Sequence, residues 1–267
     1  MCGIVGFFCR ESVPDIKIFD MLFTNSEKRG QDGFGIWIGR KNESYSFISL
    51  DTYSKCRQEA LDFVKKNISI GKLVLAISRA APETEEMSSL QNMQPIMNCD
   101  CILVHNGAIS DKIYQEVAKT GFKFTTGIDS ETIIFSYILH NKNIKNCMEY
   151  VSAGSALLMY DAKMDRLYTA IDFKPLSHGY IRGIGYFLSS DNDAIGEVVK
   201  EITGCSRDGV NIWEDFYHHY LPGNFIRVTD LDSGVQREIP YSPRYIVGTT
   251  FDTNYNQDGT KKVHLSQ

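Results

Sequence analysis

Apolar positions along the chain follow two rhythms, one of strands and one of helices. Cys2 to Cys9 is apolar almost throughout and reads as a buried strand. Ile16, Phe19, Leu22 and Phe23 then recur at helical spacing and predict a helix over Asp15 to Lys28. A glycine-rich turn over Arg29 to Gly35 leads into a short strand, Ile36 to Gly39. Ser44 to Leu50 alternates like a strand, Tyr53 to Asn67 reads as a helix, and Lys72 to Ala80 is a strand rich in β-branched residues. Pro82 to Pro95 is polar and irregular and reads as a loop over a site.

The second half begins with a strand at Cys101 to Val104, followed by helices over Lys112 to Thr120, Ser130 to Asn141 and Ile144 to Ser152. Strands then dominate, at Ser155 to Asp161, Arg166 to Ile171, Leu176 to Arg182 and Tyr186 to Ser190. A helix over Asp193 to Ile202 precedes a hairpin of Phe225 to Val228 with Val235 to Ile239. Strands and helices come in runs, which favours a layered α+β fold over a parallel βαβ sheet. No linker rich in proline or serine divides the chain. Tyr241 to Gln267 loses its periodicity. The expected division is one domain over 2–240 and a C-terminal tail over 241–267.

Composition narrows the class. The chain has 267 residues, 43% of them hydrophobic, enough to build a sizeable core. Its net charge of -5, without a clustered basic face, argues against a nucleic-acid surface. No apolar run approaches the ~20 residues needed to span a bilayer, so the expectation is a soluble cytoplasmic protein. Seven cysteines without framework spacing fit reduced thiols. Cys99 and Cys101 lack a second ligand pair at zinc spacing and read as alternating strand positions, so neither a metal nor a cofactor is expected.

Candidate chemistry starts at Cys2. Buried free cysteine is common, but this one stands directly behind the initiator methionine. Removal of Met1 would give Cys2 a free α-amine with a pKa of ~8, able to serve as the base for its own thiol. No separate histidine is then needed, and no histidine has an evident partner in the sequence. His105-Asn106-Gly107 reads either as a hairpin turn or as two donors, the Asn106 amide and the Gly107 N–H, for an oxyanion. Arg79 is either a strand-end surface residue or a fork for a carboxylate. Asp129 either caps the following helix or holds a substrate ammonium. Together, Arg79 and Asp129 would recognise a zwitterionic α-amino acid. The segment Arg29 to Gly35 lacks the Lys-Ser/Thr ending of a phosphate loop and reads as a tight loop with an Arg29–Asp32 ion pair.

These pieces resemble, in order, the class II glutamine amidotransferase domain of the N-terminal-nucleophile hydrolases. Asparagine synthetase, amidophosphoribosyltransferase and glucosamine-6-phosphate synthase carry it. MCGIVG resembles the family start, RGQDGFG its arginine loop, Ser78-Arg79 its carboxylate-binding arginine, HNG its oxyanion motif and Asp129-Ser130-Glu131 its ammonium site. DFKPL, FLSSD and LPGNFIRV resemble later strands, so the likeness runs from Cys2 to about Arg237. It implies a four-layer αββα sandwich of two antiparallel sheets. It also implies hydrolysis of glutamine through a Cys2 thioester, with Asn106 and Gly107 at the oxyanion. Arg79 and Asp129 would hold the substrate, and Arg29 would order the nucleophile.

Two departures stand out. Gly33 replaces a serine of the family loop, and the run after Arg79 is Ala-Ala-Pro-Glu-Thr rather than the aromatic and hydroxyl residues of many members. No acceptor-domain motif follows. The resemblance therefore implies a glutaminase subunit supplying ammonia to a separate synthetase or transferase chain. An ATP-dependent partner, asparagine-synthetase-like or deazaguanine-modifying, is one form of this, and a homo-oligomer is compatible with it. The competing readings are a free-standing amidase acting on another amide and a catalytically silent partner-binding subunit.

Overall fold

A computed structural model describes residues 1–80, 89–151, 154–204, 216–220 and 223–243, with the backbone alone for 216–220. In chain order the elements begin with β1 (Gly3–Phe8), α1 (Ile16–Glu27), β2 (Phe34–Arg40), β3 (Glu43–Ser49), α2 (Tyr53–Asn67) and β4 (Leu73–Ser78). A short 3₁₀ turn at Leu90–Asn92 precedes β5 (Ile96–Asn98), β6 (Cys101–Asn106), α3 (Asp111–Ala118), α4 (Glu131–Leu139) and α5 (Ile144–Val151). The remainder is β7 (Ala156–Asp161), β8 (Arg166–Ile171), β9 (Ser177–Ile181), β10 (Gly185–Ser189), α6 (Asn192–Thr203), β11 (Phe216–Tyr220), β12 (Phe225–Asp230) and β13 (Gln236–Pro240).

Two antiparallel sheets result, one of seven strands in the order β11-β9-β10-β1-β4-β2-β3 and one of six in the order β13-β12-β8-β7-β6-β5. Side-chain alternation divides each central strand between two cores. Val5 and Phe7 of β1 pack with Phe19, Leu22 and Phe23 of α1 and with residues of α2 and α6. Ile4 and Phe8, on the other face, meet Val104, Leu158 and Tyr160 across the inter-sheet core. Leu103 and Leu157 point away from that core, toward Ile133, Tyr137 and Met148 of the second helical layer. The order of layers is therefore helices, sheet, sheet, helices, the αββα sandwich that the resemblance implied. Helix signals are local: Asp15 accepts from Lys17 N at 2.8 Å ahead of α1, and Asp191 accepts from Asp193 N at 2.9 Å ahead of α6.

Several expectations change. Cys99 is not in a strand. It forms, with Asp100, a two-residue hairpin turn at φ 49° and 62°, and Cys101 opens β6. β11 escaped the sequence reading. Asn106-Gly107 is not a hairpin turn either, because it leads from β6 into α3. The loop expected over Pro82 to Pro95 lies outside the described residues as far as residue 88. The tail expected from 241 is described only to residue 243. There Tyr241 is buried and donates to Ile171 O at 2.8 Å. No helix among the described residues is long and apolar enough to cross a membrane.

Candidate active site

β1 lies inside the seven-stranded sheet, between β4 and β10, and this places Cys2 at its head. Gly3 pairs with Ser78 of β4, so Cys2 faces the end of that strand. Ala80 N donates to Cys2 Sγ at 3.4 Å, and the thiol donates to Ala80 O at 3.6 Å. The neighbouring Arg79 is buried. Its backbone is clamped on the glycine loop: Arg79 N donates to Gly33 O at 2.8 Å and Asp32 N donates to Arg79 O at 2.9 Å. Gly33 holds φ at 123°, a conformation that strains any residue with a side chain. The replacement of serine by glycine thus belongs to the path of this loop.

Asn106 reaches Cys2 from the opposite sheet. It ends β6 on the face that Ile102 and Val104 present to the inter-sheet core. Its Oδ1 accepts from Cys2 N at 3.2 Å, while its Nδ2 is buried with no hydrogen-bond partner. A buried amide donor without a partner is costly, and such groups mark places where a ligand supplies the missing acceptor. Gly107 follows directly. A Cβ built there would lie 2.6 Å from His105 Nε2 and 2.8 Å from Ser155 Cβ, so only glycine fits beneath the imidazole.

Arg29 donates from Nε to Cys2 O at 3.3 Å, and its Nη2 lies 3.8 Å from Met1 Sδ. Arg29 thus touches the backbone of Cys2. Lys174 approaches the same sulfur, with Nζ at 3.9 Å. Burial pushes the Lys174 ammonium below the ordinary lysine range, the like charge of Arg29 adds to this, and Cys2 opposes it. Asp129 reaches the segment that follows Gly107. Its Oδ2 accepts from Ile109 N at 2.5 Å, and Ser130 Oγ donates to Oδ1 at 3.3 Å. It braces the segment leaving Gly107 and joins the site at one remove from Cys2.

His105 does have a partner: its Nδ1 lies 2.8 Å from Ser130 Oγ. Gln94 locks the His105 backbone from both sides, accepting from His105 N at 2.6 Å and donating to His105 O at 3.1 Å. Burial, aided by the charge of Lys174, takes the imidazole pKa down to about 3, so the ring is neutral at physiological pH. Ala80, Gln94, Ser130 and Lys174 escaped the sequence reading as site residues. Each stands inside or next to a quoted motif, except Gln94, for which no signal existed. No group of three or more His, Cys, Asp or Glu among the described residues is arranged to hold a metal ion.

A buried cysteine thus heads a central strand of an αββα sandwich and faces a buried amide nitrogen without a hydrogen-bond partner. Residues 82–197 match the family described as "Glutamine amidotransferase domain", a span that includes HNG and Asp129. The chain is 25% identical to amidophosphoribosyltransferase of Pyrococcus horikoshii over 92% of this chain and 57% of that protein. It is 29% identical to a glutamine–fructose-6-phosphate aminotransferase (isomerizing) of Buchnera aphidicola, over 57% of this chain and 24% of that protein. The chain therefore spans less than two thirds of these relatives' length. The fold is similar to that of glutamine phosphoribosylpyrophosphate amidotransferase from B. subtilis, with a TM-score of 0.67 and 18% identity over 91% of this chain and 50% of that one. A glutamine aminotransferase class-II domain protein of Silicibacter pomeroyi matches at a TM-score of 0.52 and 11% identity, over 92% of this chain and 100% of that one. The chain thus resembles class II glutamine amidotransferases in sequence and is similar to them in fold.

Proposed function

We propose that this chain hydrolyses glutamine and supplies the ammonia to an acceptor site on a separate synthetase or transferase chain. In this reading the domain covers residues 2–240. Removal of Met1 frees the Cys2 α-amine, which takes the thiol proton as Sγ attacks the side-chain carboxamide carbon. Arg79 binds the substrate α-carboxylate and Asp129 its α-ammonium. Asn106 Nδ2 and Gly107 N–H hold the oxyanion as it forms. The C–N bond then breaks, and the Cys2 ammonium gives its proton to the departing ammonia. The γ-glutamyl thioester that remains is cleaved by water, releasing glutamate and restoring the thiol. Arg29, bonded to Cys2 O, keeps the nucleophile in place.

The observation that carries this reading is the divided use of Asn106. Its oxygen accepts from the backbone nitrogen of Cys2, the residue that carries the candidate thiol, while its buried nitrogen has no partner. Cys2→Ala should abolish release of ammonia from glutamine while leaving the fold intact. Release at the wild-type rate would refute the assignment. Mass spectrometry of the purified chain should show Cys2 as the first residue, since a retained Met1 leaves no free amine on Cys2.

A further inference from the structure

Three side chains on the helix-facing side of β6 form a connected path. Asp129 can only accept, so Ser130 gives its single hydroxyl proton to Asp129 Oδ1, across 3.3 Å. Ser130 Oγ then accepts from His105 Nδ1–H, across 2.8 Å. Donation in this direction satisfies every contact and leaves the lone pair on Nε2. That nitrogen lies against Gly107, where a Cβ would come within 2.6 Å of it. The two ends of the path are the groups assigned to opposite ends of the substrate: Gly107 at the oxyanion and Asp129 at the α-ammonium. A second link runs in parallel, from Ile109 N to Asp129 Oδ2 at 2.5 Å. Both His105 and Ser130 are buried, so water does not compete for these bonds.

We propose that His105 and Ser130 are positioning residues that hold the ammonium-binding carboxylate of Asp129 in register with the oxyanion donor at Gly107. The inference rests on the glutaminase reading and adds to it two residues that act through Asp129 and Gly107. It explains why the imidazole is buried and uncharged although no step of the mechanism uses it. It also explains why glycine follows Asn106: the ring occupies the space that any side chain would need.

The test compares two reagents on the processed protein. A glutamine-like diazo ketone, 6-diazo-5-oxo-norleucine, must be oriented through its α-ammonium before Cys2 can attack it. Iodoacetamide alkylates Cys2 without that group. Ser130→Ala should slow inactivation by the diazo ketone roughly tenfold, the scale of one hydrogen bond to a charged group, and leave alkylation unchanged. His105→Leu should show the same selectivity. The double variant should be no slower than the slower single one, because both cut one path. Equal slowing with both reagents would indicate a general loss of structure and overturn the proposal, as would no slowing at all. Failure of both reagents to label Cys2 in the unmutated protein would overturn the glutaminase reading itself, and this inference with it.

Discussion

The backbone nitrogen of Cys2 lies 3.2 Å from Asn106 Oδ1, joining the head of β1 to the end of β6 in the other sheet. The two ends of the Asn106 amide can therefore be tested separately. Asn106→Asp keeps an acceptor for Cys2 N but removes the Nδ2 donor and adds a negative charge where an oxyanion would form. Asn106→Ala removes both. Both variants should lose roughly 10²–10³ in kcat for glutamine, since each lacks the oxyanion donor. Steady-state ammonia release would show it, and near-normal kcat in Asn106→Asp would remove Nδ2 from the oxyanion.

Gly107→Ala puts a methyl group 2.6 Å from His105 Nε2 and 2.8 Å from Ser155 Cβ. Both neighbours are buried and neither can move freely. Overpacking of this kind costs about 1–3 kcal/mol. Urea unfolding should report that loss, and turnover should fall with it because the displaced peptide carries the second oxyanion donor. Pairing the change with Ser155→Gly should recover part of the stability.

His105 makes stability depend on pH. Its folded pKa is depressed to about 3 by burial, with the Lys174 charge adding to the effect, while an unfolded histidine titrates near 6.5. Between these values the unfolded chain binds a proton that the folded chain refuses. Stability is therefore full above about pH 6.5 and falls as pH drops toward 3. Wild type should lose roughly 2 kcal/mol more than His105→Leu between about pH 6 and pH 4.5. Equal pH slopes in denaturant titrations of the two proteins would contradict this.

Glu131 ties the start of α4 to two neighbouring segments. Its carboxylate accepts from Thr125 N at 3.0 Å, Thr126 N at 2.8 Å and Asn98 Nδ2 at 2.7 Å, as well as from both threonine hydroxyls. Burial alone would raise its pKa, but the bonds from Thr125, Asn98 and Thr126 together hold it below the usual carboxylate range. Glu131→Gln offers one acceptor oxygen in place of two and should cost about 1–3 kcal/mol. The unfolded carboxylate takes its proton near pH 4.3 and the folded one only lower, so the contribution is present above that pH and is lost below it. The Glu131→Gln protein should lack this acid-side loss in thermal unfolding.

Much of this molecule was legible in the chain because the signals are short-range. The periods of α1, α2 and α6, the apolar run of β1 and the runs of elements all lie within windows of a few turns. The candidates Cys2, Arg29, Arg79, Asn106, Gly107 and Asp129 were readable as residue types within motifs. Which face of β1 met helices and which met the other sheet was not readable. A strand buried on both sides has no polar face, so its alternation carries no contrast. Nor could the sequence bring Asp129 to the Ile109 N–H, or Lys174 to within 3.9 Å of Met1 Sδ. The contact of Cys2 with Asn106 exists because the two sheets stack and bring strand ends far apart in the chain to one edge. Residue pattern determined the layers and the candidate chemistry; the stacking of the sheets decided which side chains meet.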